Sequence, residues 1–254
     1  MDIELGTIQS NRQQEDHDQF GASFDLLEVR RAFIKKVYGI VGLELALVST
    51  IMAIFMFTPL GDNVYKNKDW KIISMVLGIV PLGIILILTC CPVEKVIRRW
   101  PLNITLITVL ALVEGVILGI LSASYTLESI MLAVGLTAGT VVIVSIFAFF
   151  TKIDFTKCGG ILCILLVFLL LFGIAFFFVV LFADDYSIYV MKMIYGALDA
   201  FVMILCLIFD TQLMLIGKHK YSYNPEDYVF AALSIFLDII NLFIYILMIV
   251  GQKR

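Results

Sequence analysis

Charged residues are scarce in this sequence of 254 residues. They make up 15% of the chain, whereas a soluble domain carries about 25%. The net charge is only −3, so nothing points to nucleic acid as a partner. Hydrophobic residues reach 61% and the mean hydropathy is +1.04, more apolar surface than a soluble domain can bury. The composition therefore predicts a polytopic membrane protein whose partner is the lipid bilayer.

Histidine and cysteine, the usual ligands of structural zinc, are also few. The sequence has two histidines, and its five cysteines lie in or beside apolar runs without forming a CxxC pair. This pattern argues against structural zinc and against a disulfide scaffold. We expect no cofactor.

The N-terminal segment lacks the pattern of a cleavable signal peptide, in which a basic stretch is followed by a short apolar run. Its residues are polar and acidic, with the sequence GTIQSNRQQEDHDQFGAS at 6–23. We expect residues 1–30 to form a disordered acidic cytosolic tail, and residues 31–254 to form the transmembrane domain.

Long apolar runs are abundant, and seven of them are close to the roughly 20 residues needed to cross a bilayer. Because backbone polar groups in lipid must be satisfied within the segment, each run is expected to be an α-helix. The sequence predicts an all-α membrane protein, a bundle of seven transmembrane helices. The runs are approximately 37–58, 72–91, 102–123, 127–150, 158–183, 190–216 and 228–250.

The distribution of Lys and Arg predicts the orientation. The N-terminal tail and the even-numbered loops carry twelve of these residues, and the opposite side carries six. Cytoplasmic loops carry the excess of positive charge, so we expect a cytosolic N-terminus. Seven full crossings place the basic C-terminal GQKR outside, which its charge opposes. A re-entrant seventh run places it inside, and both alternatives remain open.

Two aspartates lie within the last two apolar runs. Asp210 is near the end of the sixth run and Asp238 is near the middle of the seventh. An ionised Asp at the centre of a membrane helix costs about 2.5–3.5 kcal/mol, so it needs a partner, a proton or a cation. At about 1.5 Å per residue, antiparallel helices bring the two to within about 5 Å in depth. We predict that they form a pair in the cytosolic half.

The spacing of other polar residues agrees with this pairing. Steps of three and four residues form one stripe on each helix, and a polar stripe on an apolar helix is expected to face the bundle interior. The seventh helix is therefore expected to be central. The stripes are Asp199, Met203, Cys206 and Asp210 on the sixth helix, and Ser234, Asp238, Asn241 and Tyr245 on the seventh.

The chemistry of such a pair depends on pH. Two carboxylates about 4 Å apart repel by roughly 4 kcal/mol at an effective dielectric of 20. We expect Asp210 and Asp238 to share one proton near neutral pH unless a cation intervenes. Deprotonation favours separation, or binding of a hard cation such as Ca²⁺. The pair is predicted to act as a pH-sensitive gate and to ligate Ca²⁺.

Further polar residues lie within the runs. Glu44 is close enough to a helix end for its carboxylate to reach the membrane interface. Glu114, Asp199 and Asn241 are predicted to line an ion path, because intramembrane carboxylates mark such paths and the interior is net acidic.

Five stretches carry a resemblance to a known family. They are VRRAFIKKVYG at 29–39, WPLNI at 100–104, TKIDFT at 151–156, Asp-Thr-Gln at 210–212 and NPEDYVFAALSIFLDIINLF at 224–243. Their order and spacing resemble the transmembrane Bax inhibitor-motif family, specifically its lifeguard branch, over nearly the whole chain after residue 28. The resemblance implies a seven-helix fold with the last helix central, a Ca²⁺ leak through endomembranes, and suppression of cell death.

The resemblance also implies site residues. In bacterial relatives, two aspartates on the last two helices act as a pH sensor, held by an arginine at the cytosolic end of the second helix. By motif, the aspartates fall on Asp210 and Asp238. The arginine falls on Arg98 or Arg99, in a stretch that departs from the family pattern. Asp199 is a second departure, since relatives usually carry an apolar or small residue there.

The predicted function is a pH-sensitive, Ca²⁺-permeable leak channel of endomembranes that suppresses apoptosis. Two alternatives remain: an anti-apoptotic protein that binds apoptosis-regulating membrane proteins without intrinsic flux, and a proton/cation exchanger. We expect no enzyme, because IFLDII around Asp238 differs from the Gly-x-Gly-Asp of intramembrane aspartyl proteases. Endoplasmic reticulum, Golgi and plasma membrane all fit the sequence.

Overall fold

The structure, a computed structural model, describes residues 2–66, 101–182, 185–215 and 228–254. Apart from one isolated bridge, it contains no strand in these ranges, so the all-α prediction holds for the described part of the chain. The α-helices are α1 (Asp2–Phe57), α2 (Pro59–Lys66), α3 (Leu102–Ser122), α4 (Leu127–Phe150), α5 (Gly159–Phe182), α6 (Asp185–Leu215) and α7 (Tyr228–Val250). A short 3₁₀ helix at Phe155–Cys158 precedes α5.

Six of the described helical segments are long and apolar enough to cross a membrane. The predicted second run, 72–91, lies outside the described residues, so the count of seven stays a prediction. The six segments are Glu28–Phe57, Leu102–Ser122, Leu127–Phe150, Phe155–Phe176, Tyr186–Leu215 and Tyr228–Val250.

Helix α1 extends back to Asp2, over the segment that we expected to be disordered. Its membrane-length part begins at Glu28, whereas the apolar run begins near residue 37. The basic residues between these two points keep the apolar run from beginning earlier, but the helix continues through them. The division into a polar tail and a transmembrane domain stays a prediction.

Helices α1 and α3 pack closely and run in the same direction. A Cβ atom on Gly115 would lie 2.7 Å from Cδ1 of Ile51, and a Cβ on Gly119 would lie 2.7 Å from Cγ of Phe55. Contacts this short leave no room for a side chain, so these two glycines permit the approach of the helices. Because the position in α3 rises with the position in α1, the pair is parallel.

Helix α7 packs against α1, α3, α4 and α6. Half of its most apolar stretch is buried, compared with 11% for the segment Phe155–Phe176 that contains most of α5. These contacts agree with an interior position for α7. Its central place in a complete seven-helix bundle stays a prediction, since residues 72–91 are outside the described ranges.

The two ends of α7 lie at opposite faces of the bundle. At its start, the ammonium of Lys36 is 5.4 Å from the ring centroid of Tyr228. At its end, the amide of Thr126 in the α3–α4 connection donates to the carbonyl of Gln252 at 3.0 Å. We call these the N-terminal face and the C-terminal face. Helix α7 therefore runs the length of the described bundle, parallel to α1. Whether it crosses the membrane completely stays a prediction.

Residues 251–254 bind the C-terminal face. The amide of Arg254 donates to the carbonyl of Ser124 at 3.1 Å, and the amide of Gln252 donates to Oγ of Ser129 at 3.0 Å. The guanidinium of Arg254 lies 3.1 Å from Oδ1 of Asp62 in α2. This short strap joins the end of α7 to α2, to the α3–α4 connection and to the first turn of α4.

Candidate functional site

Asp210 on α6 and Asp238 on α7 form a hydrogen bond with each other. An ionised carboxylate only accepts hydrogen bonds, so a bond between two carboxyl groups requires one proton. Oδ2 of Asp238 is buried and has no hydrogen-bond partner among the described residues. The structure thus brings together the two aspartates that the sequence places on neighbouring helices.

The pair lies in the half of the bundle nearer the N-terminal face. Asp210 is five residues before the end of α6, about 7–8 Å along the axis, and Asp238 is ten residues after the start of α7, about 15 Å. The helices are antiparallel, and their predicted polar stripes face each other. On α6, Asp199, Met203 and Cys206 are exposed by 2%, 7% and 8%.

Gln212 connects this region to the loop between α4 and α5. Its Nε2 donates to the carbonyl of Ile153 at 2.9 Å, and its Oε1 accepts from the amide of Phe155 at 2.8 Å. Two of the motifs that carry the family resemblance therefore meet in space. Sequence reasoning missed this contact, although a glutamine two residues after Asp210 in an apolar helix was a usable signal.

Glu44 and Glu114 belong to the α1–α3 pair of helices. Glu44 is buried and accepts a hydrogen bond from the hydroxyl of Thr108 at 2.9 Å, so it does not extend to the interface. Glu114 is also buried, on α3. Neither lies on the α6–α7 stripes. Asn241 is on the α7 stripe, one turn beyond Asp238, and is partly exposed. Their roles along an ion path stay predictions.

The remaining predicted site features concern arginine and Ca²⁺. Arg98 and Arg99 lie outside the described residues. Within the described ranges, no group of three or more His, Cys, Asp or Glu side chains has a metal-binding arrangement. Ca²⁺ takes about six to eight oxygen ligands, and Asp210 and Asp238 together offer four carboxyl oxygens. The pair alone therefore does not complete a calcium site.

Asp199, at a level of α6 closer to the C-terminal face, forms a separate polar cluster. It hydrogen-bonds to Tyr195 on the same helix, and Tyr195 hydrogen-bonds to Tyr245 on α7. The sequence indicated Asp199 and placed Tyr245 on the α7 stripe. It gave no signal for Tyr195, which is one of ten tyrosines in the chain.

These features define a multi-pass α-helical membrane protein with a hydrogen-bonded carboxyl pair on its last two helices. A family model described as "Inhibitor of apoptosis-promoting Bax1" matches residues 30–254. The chain belongs to this family, which confirms the resemblance carried by its motifs.

Curated relatives agree with this assignment. The chain is 37% identical to "Protein lifeguard 3" of Homo sapiens over 239 residues, which is 93% of this chain and 74% of the relative. It is also 37% identical to "Protein lifeguard 3" of Mus musculus, with coverages of 91% and 72%. A viral relative, "Golgi anti-apoptotic protein" of Vaccinia virus (strain Lister), is 29% identical over 94% of this chain and 95% of its own length.

Proposed function

We propose that this protein is an anti-apoptotic protein of Golgi or other endomembranes that conducts Ca²⁺ under the control of the Asp210–Asp238 pair. The family description and the printed name of the viral relative support the anti-apoptotic role and the membrane. The hydrogen bond between the two carboxyl groups carries the proposal for the gate. It joins the last two helices by a contact that exists only while one proton is present.

Loss of that proton turns the contact from attraction into repulsion. Two carboxylates about 4 Å apart repel by roughly 4 kcal/mol at an effective dielectric of 20. That energy changes an equilibrium constant about a thousandfold, at 1.4 kcal/mol per factor of ten. Deprotonation then favours separation of α6 and α7 near the N-terminal face. Because Gln212 binds the α4–α5 loop, that loop would move with α6.

The proposed topology has seven crossings and a cytosolic N-terminus. The parallel packing of α1 and α3 supports the count, because a chain that spans the membrane in both helices has to return across it between them. The excess of Lys and Arg on the N-terminal side supports the orientation. The carboxyl pair is then near the cytosol, and the C-terminal strap lies on the other side. Arg98 or Arg99 is the proposed cytosolic partner of the pair.

Ca²⁺ is the proposed cargo because the charged side chains that are buried in the described structure are all carboxyl groups. They are Glu44, Glu114 and Asp199, and the carboxyl pair is half-buried. Hard cations prefer oxygen ligands. An incomplete ligand set suits a passing ion, since conduction requires binding weak enough for release. We propose that Glu114, Asp199 and Asn241 contribute to the path.

A proton/cation exchanger is the second candidate, favoured by the same observation. The pair holds a proton that it could release in each transport cycle. Stoichiometric proton counterflow distinguishes this mechanism from a leak, in which Ca²⁺ moves without an obligatory proton.

We propose that the pair does not catalyse proteolysis. Two carboxyl groups sharing a proton are also the arrangement of aspartic proteases. The sequence around Asp238 lacks the Gly-x-Gly-Asp motif, so we expect no cleavage of a transmembrane peptide by the purified protein. Cleavage that either Asp→Asn substitution abolishes would contradict this proposal.

The test is Ca²⁺ flux from liposomes that contain the purified protein, with proton movement recorded at the same time. Flux above that of protein-free liposomes, without proportional proton counterflow, supports the leak. Proportional counterflow replaces the leak by the exchanger. Absence of flux at every pH contradicts both and leaves an anti-apoptotic protein that acts through membrane-protein partners.

A further inference from the structure

A second polar cluster lies within the bundle, apart from the carboxyl pair. Asp199 is 2% exposed and hydrogen-bonds to Tyr195, which hydrogen-bonds to Tyr245. The rings of the two tyrosines are 6.0 Å apart and nearly perpendicular. The chain of three side chains therefore crosses from α6 to α7. We call these three residues the outer cluster.

Helix α5 completes the surroundings of Tyr195. A Cβ atom on Gly173 would lie 2.8 Å from Oη of Tyr195, so only glycine leaves room for the hydroxyl at that position. The rings of Phe172 and Phe176 are 5.8 Å and 5.5 Å from the Tyr195 ring. Apolar rings on one side and hydrogen bonds on the other hold Tyr195 in one place. The outer cluster is thus built from three helices.

Close packing of α6 and α7 supports the same arrangement. A Cβ on Gly196, the residue after Tyr195, would lie 3.3 Å from the carbonyl oxygen of Tyr245. The two backbones approach closely beside the outer cluster, which keeps its hydroxyl groups within hydrogen-bonding distance.

One atom of the outer cluster is unsatisfied. Oδ2 of Asp199 is buried and has no hydrogen-bond partner among the described residues. A buried carboxylate with one unpaired oxygen and no counter-charge is strongly disfavoured. A resident Ca²⁺ needs about six to eight oxygen ligands, more than one carboxyl group and two hydroxyl groups supply, so a bound Ca²⁺ does not balance this charge between passages of ions. A proton on Asp199 removes the charge without any further ligand.

No cation in the described structure lies close enough to Asp199 to replace that proton. Lys192 is seven residues earlier on α6, about 10 Å along the axis, and its ammonium donates to Oη of Tyr125 at 3.1 Å. Helix α1 carries no titratable side chain between Glu44 and Phe57. On the other described α-helices packed against α6, the titratable side chains are Glu128 on α4, Cys163 on α5, and Tyr228, Asp238 and Tyr245 on α7. The 3₁₀ helix carries Lys157 and Cys158, and it lies beside Gln212 at the opposite end of α6 from Lys192.

The outer cluster is closer to the C-terminal face than to the carboxyl pair. Lys192, beside Tyr125 at that face, is about 10 Å along α6 from Asp199, whereas Asp210 is about 16 Å away in the opposite direction. A proton from the C-terminal side therefore reaches Asp199 first. The carboxyl pair is nearer the N-terminal side.

We propose that Asp199, Tyr195 and Tyr245 form a second proton-binding site, which exchanges protons with the C-terminal face of the membrane. Asp199 holds the proton on Oδ2. The hydroxyl of Tyr195 hydrogen-bonds to the carboxyl group and is itself held by its bond to Tyr245. Binding adds one proton to one carboxylate, with no other reactant. In a protein that conducts Ca²⁺ as proposed above, this site makes conduction respond to pH on the C-terminal side, independently of the Asp210–Asp238 pair.

The first test examines protonation and does not depend on flux. Infrared spectra of the full-length protein in lipid are compared between wild type and Asp199→Asn across pH 5 to 9. Wild type should show a C=O stretching band of a protonated carboxyl group that Asp199→Asn lacks. Tyr195→Phe should shift this band, and Tyr189→Phe, at an exposed tyrosine of the same helix, should not. The proposal would be overturned if the difference between the wild-type and Asp199→Asn spectra contained carboxylate bands but no band of a protonated carboxyl group at any pH.

The second test rests on the proposed function and uses a planar bilayer with separate pH control on each side. Orientation is read from protease access to a C-terminal tag. Wild-type conduction should respond to pH on both sides. Asp199→Asn should lose the response on the C-terminal side and keep the other, whereas Asp238→Asn should do the reverse. A C-terminal response that survives in Asp199→Asn overturns the inference, while absence of conduction in wild type contradicts only the proposed channel.

Discussion

Four carboxyl groups within the bundle hydrogen-bond to other polar side chains. Asp210 bonds to Asp238, Asp199 bonds to Tyr195, and Glu44 accepts a bond from Thr108. An unpaired polar group in an apolar interior costs roughly 2–7 kcal/mol. The Asp210–Asp238 and Glu44–Thr108 bonds also fix the register of two neighbouring helices, whereas the Asp199–Tyr195 bond lies within α6.

The Glu44–Thr108 bond gives a prediction at this level. Thr108→Val keeps the shape of the side chain but removes the donor, so a buried carboxyl group loses its partner. The free energy of unfolding should fall by about 1–3 kcal/mol, measured by denaturant unfolding in detergent. Thr105→Val is the matched control, because its exposed hydroxyl bonds only to the backbone carbonyl of Pro101 one turn earlier. Equal destabilisation by both variants would contradict the account.

Sequence reasoning located the aspartates of the site and the pairing of Asp210 with Asp238, and it missed the partner of Asp199. A carboxyl group in an apolar run stands out by its charge, so all three aspartates were identifiable. Tyr195 was not, because it is one of ten tyrosines and no charge distinguishes it. The bonds from Gln212 to residues 153–155 were also not predictable, since they join positions 57 and 59 residues apart and no periodicity relates them.

Helices in this protein meet closely where glycine faces another helix. The sequence contains two G-x-x-x-G motifs, 115–119 in α3 and 135–139 in α4, and this spacing predicts close packing of helices. The first confirms this interpretation through its contacts with Ile51 and Phe55. At Gly135 and Gly139, no heavy atom of the described structure lies within 4 Å of the Cβ position. Spacing alone cannot tell a glycine at a helix contact from one on an open face.

The two glycine motifs form a matched pair of experiments. Gly119→Ala forces the new methyl group against the ring of Phe55 and should destabilise the protein by about 1–3 kcal/mol. Gly135→Ala meets open space and should be neutral or stabilising, by up to about 1 kcal/mol from helix propensity. Thermal unfolding in detergent measures both. A loss in Gly135→Ala as large as that in Gly119→Ala would contradict the described packing.

The C-terminal strap gives a second prediction about elements. Deletion of residues 252–254 removes the acceptor of the Thr126 amide, so hydrogen exchange at Thr126 should become faster while amides near Tyr228 keep their rates. Asp62→Asn is the control. It removes only an ion pair whose side chains are 52% and 60% exposed, and exposed pairs contribute at most about 1 kcal/mol. Unchanged exchange at Thr126 after the deletion would show that the strap does not hold this loop.

For the whole molecule, helix positions were largely predictable and contacts were not. The third and seventh apolar runs, 102–123 and 228–250, agree with α3 and α7 within one residue. The first run began about nine residues later than the membrane-length part of α1. Charged residues at the start of a helix lower the local hydropathy, so the apolar run begins late, although the backbone hydrogen bonds of the helix continue through these residues. The direction of α7 could be determined only from the contacts of Tyr228 and residues 251–254.

The topology gives a prediction for the whole molecule. If α1 and α7 both span the bilayer, the N-terminus and C-terminus lie on opposite sides, since the two helices are parallel. In sealed vesicles, protease should remove only one of two terminal epitope tags, and detergent should expose the other. Simultaneous loss of both tags from intact vesicles would contradict seven crossings.

The most direct test of the account is the pH dependence of Ca²⁺ flux in liposomes, measured at pH 6, 7 and 8 for wild type, Asp210→Asn and Asp238→Asn. Met214→Leu, a buried substitution of similar volume on α6, controls for general perturbation of that helix. We predict that wild-type and Met214→Leu flux rise with pH as the pair loses its shared proton. Both Asn variants should lose the part of this dependence that the pair supplies and keep only the response of the Asp199 site. Flux that keeps its full pH dependence in both Asn variants would contradict the role of Asp210 and Asp238 as the gate.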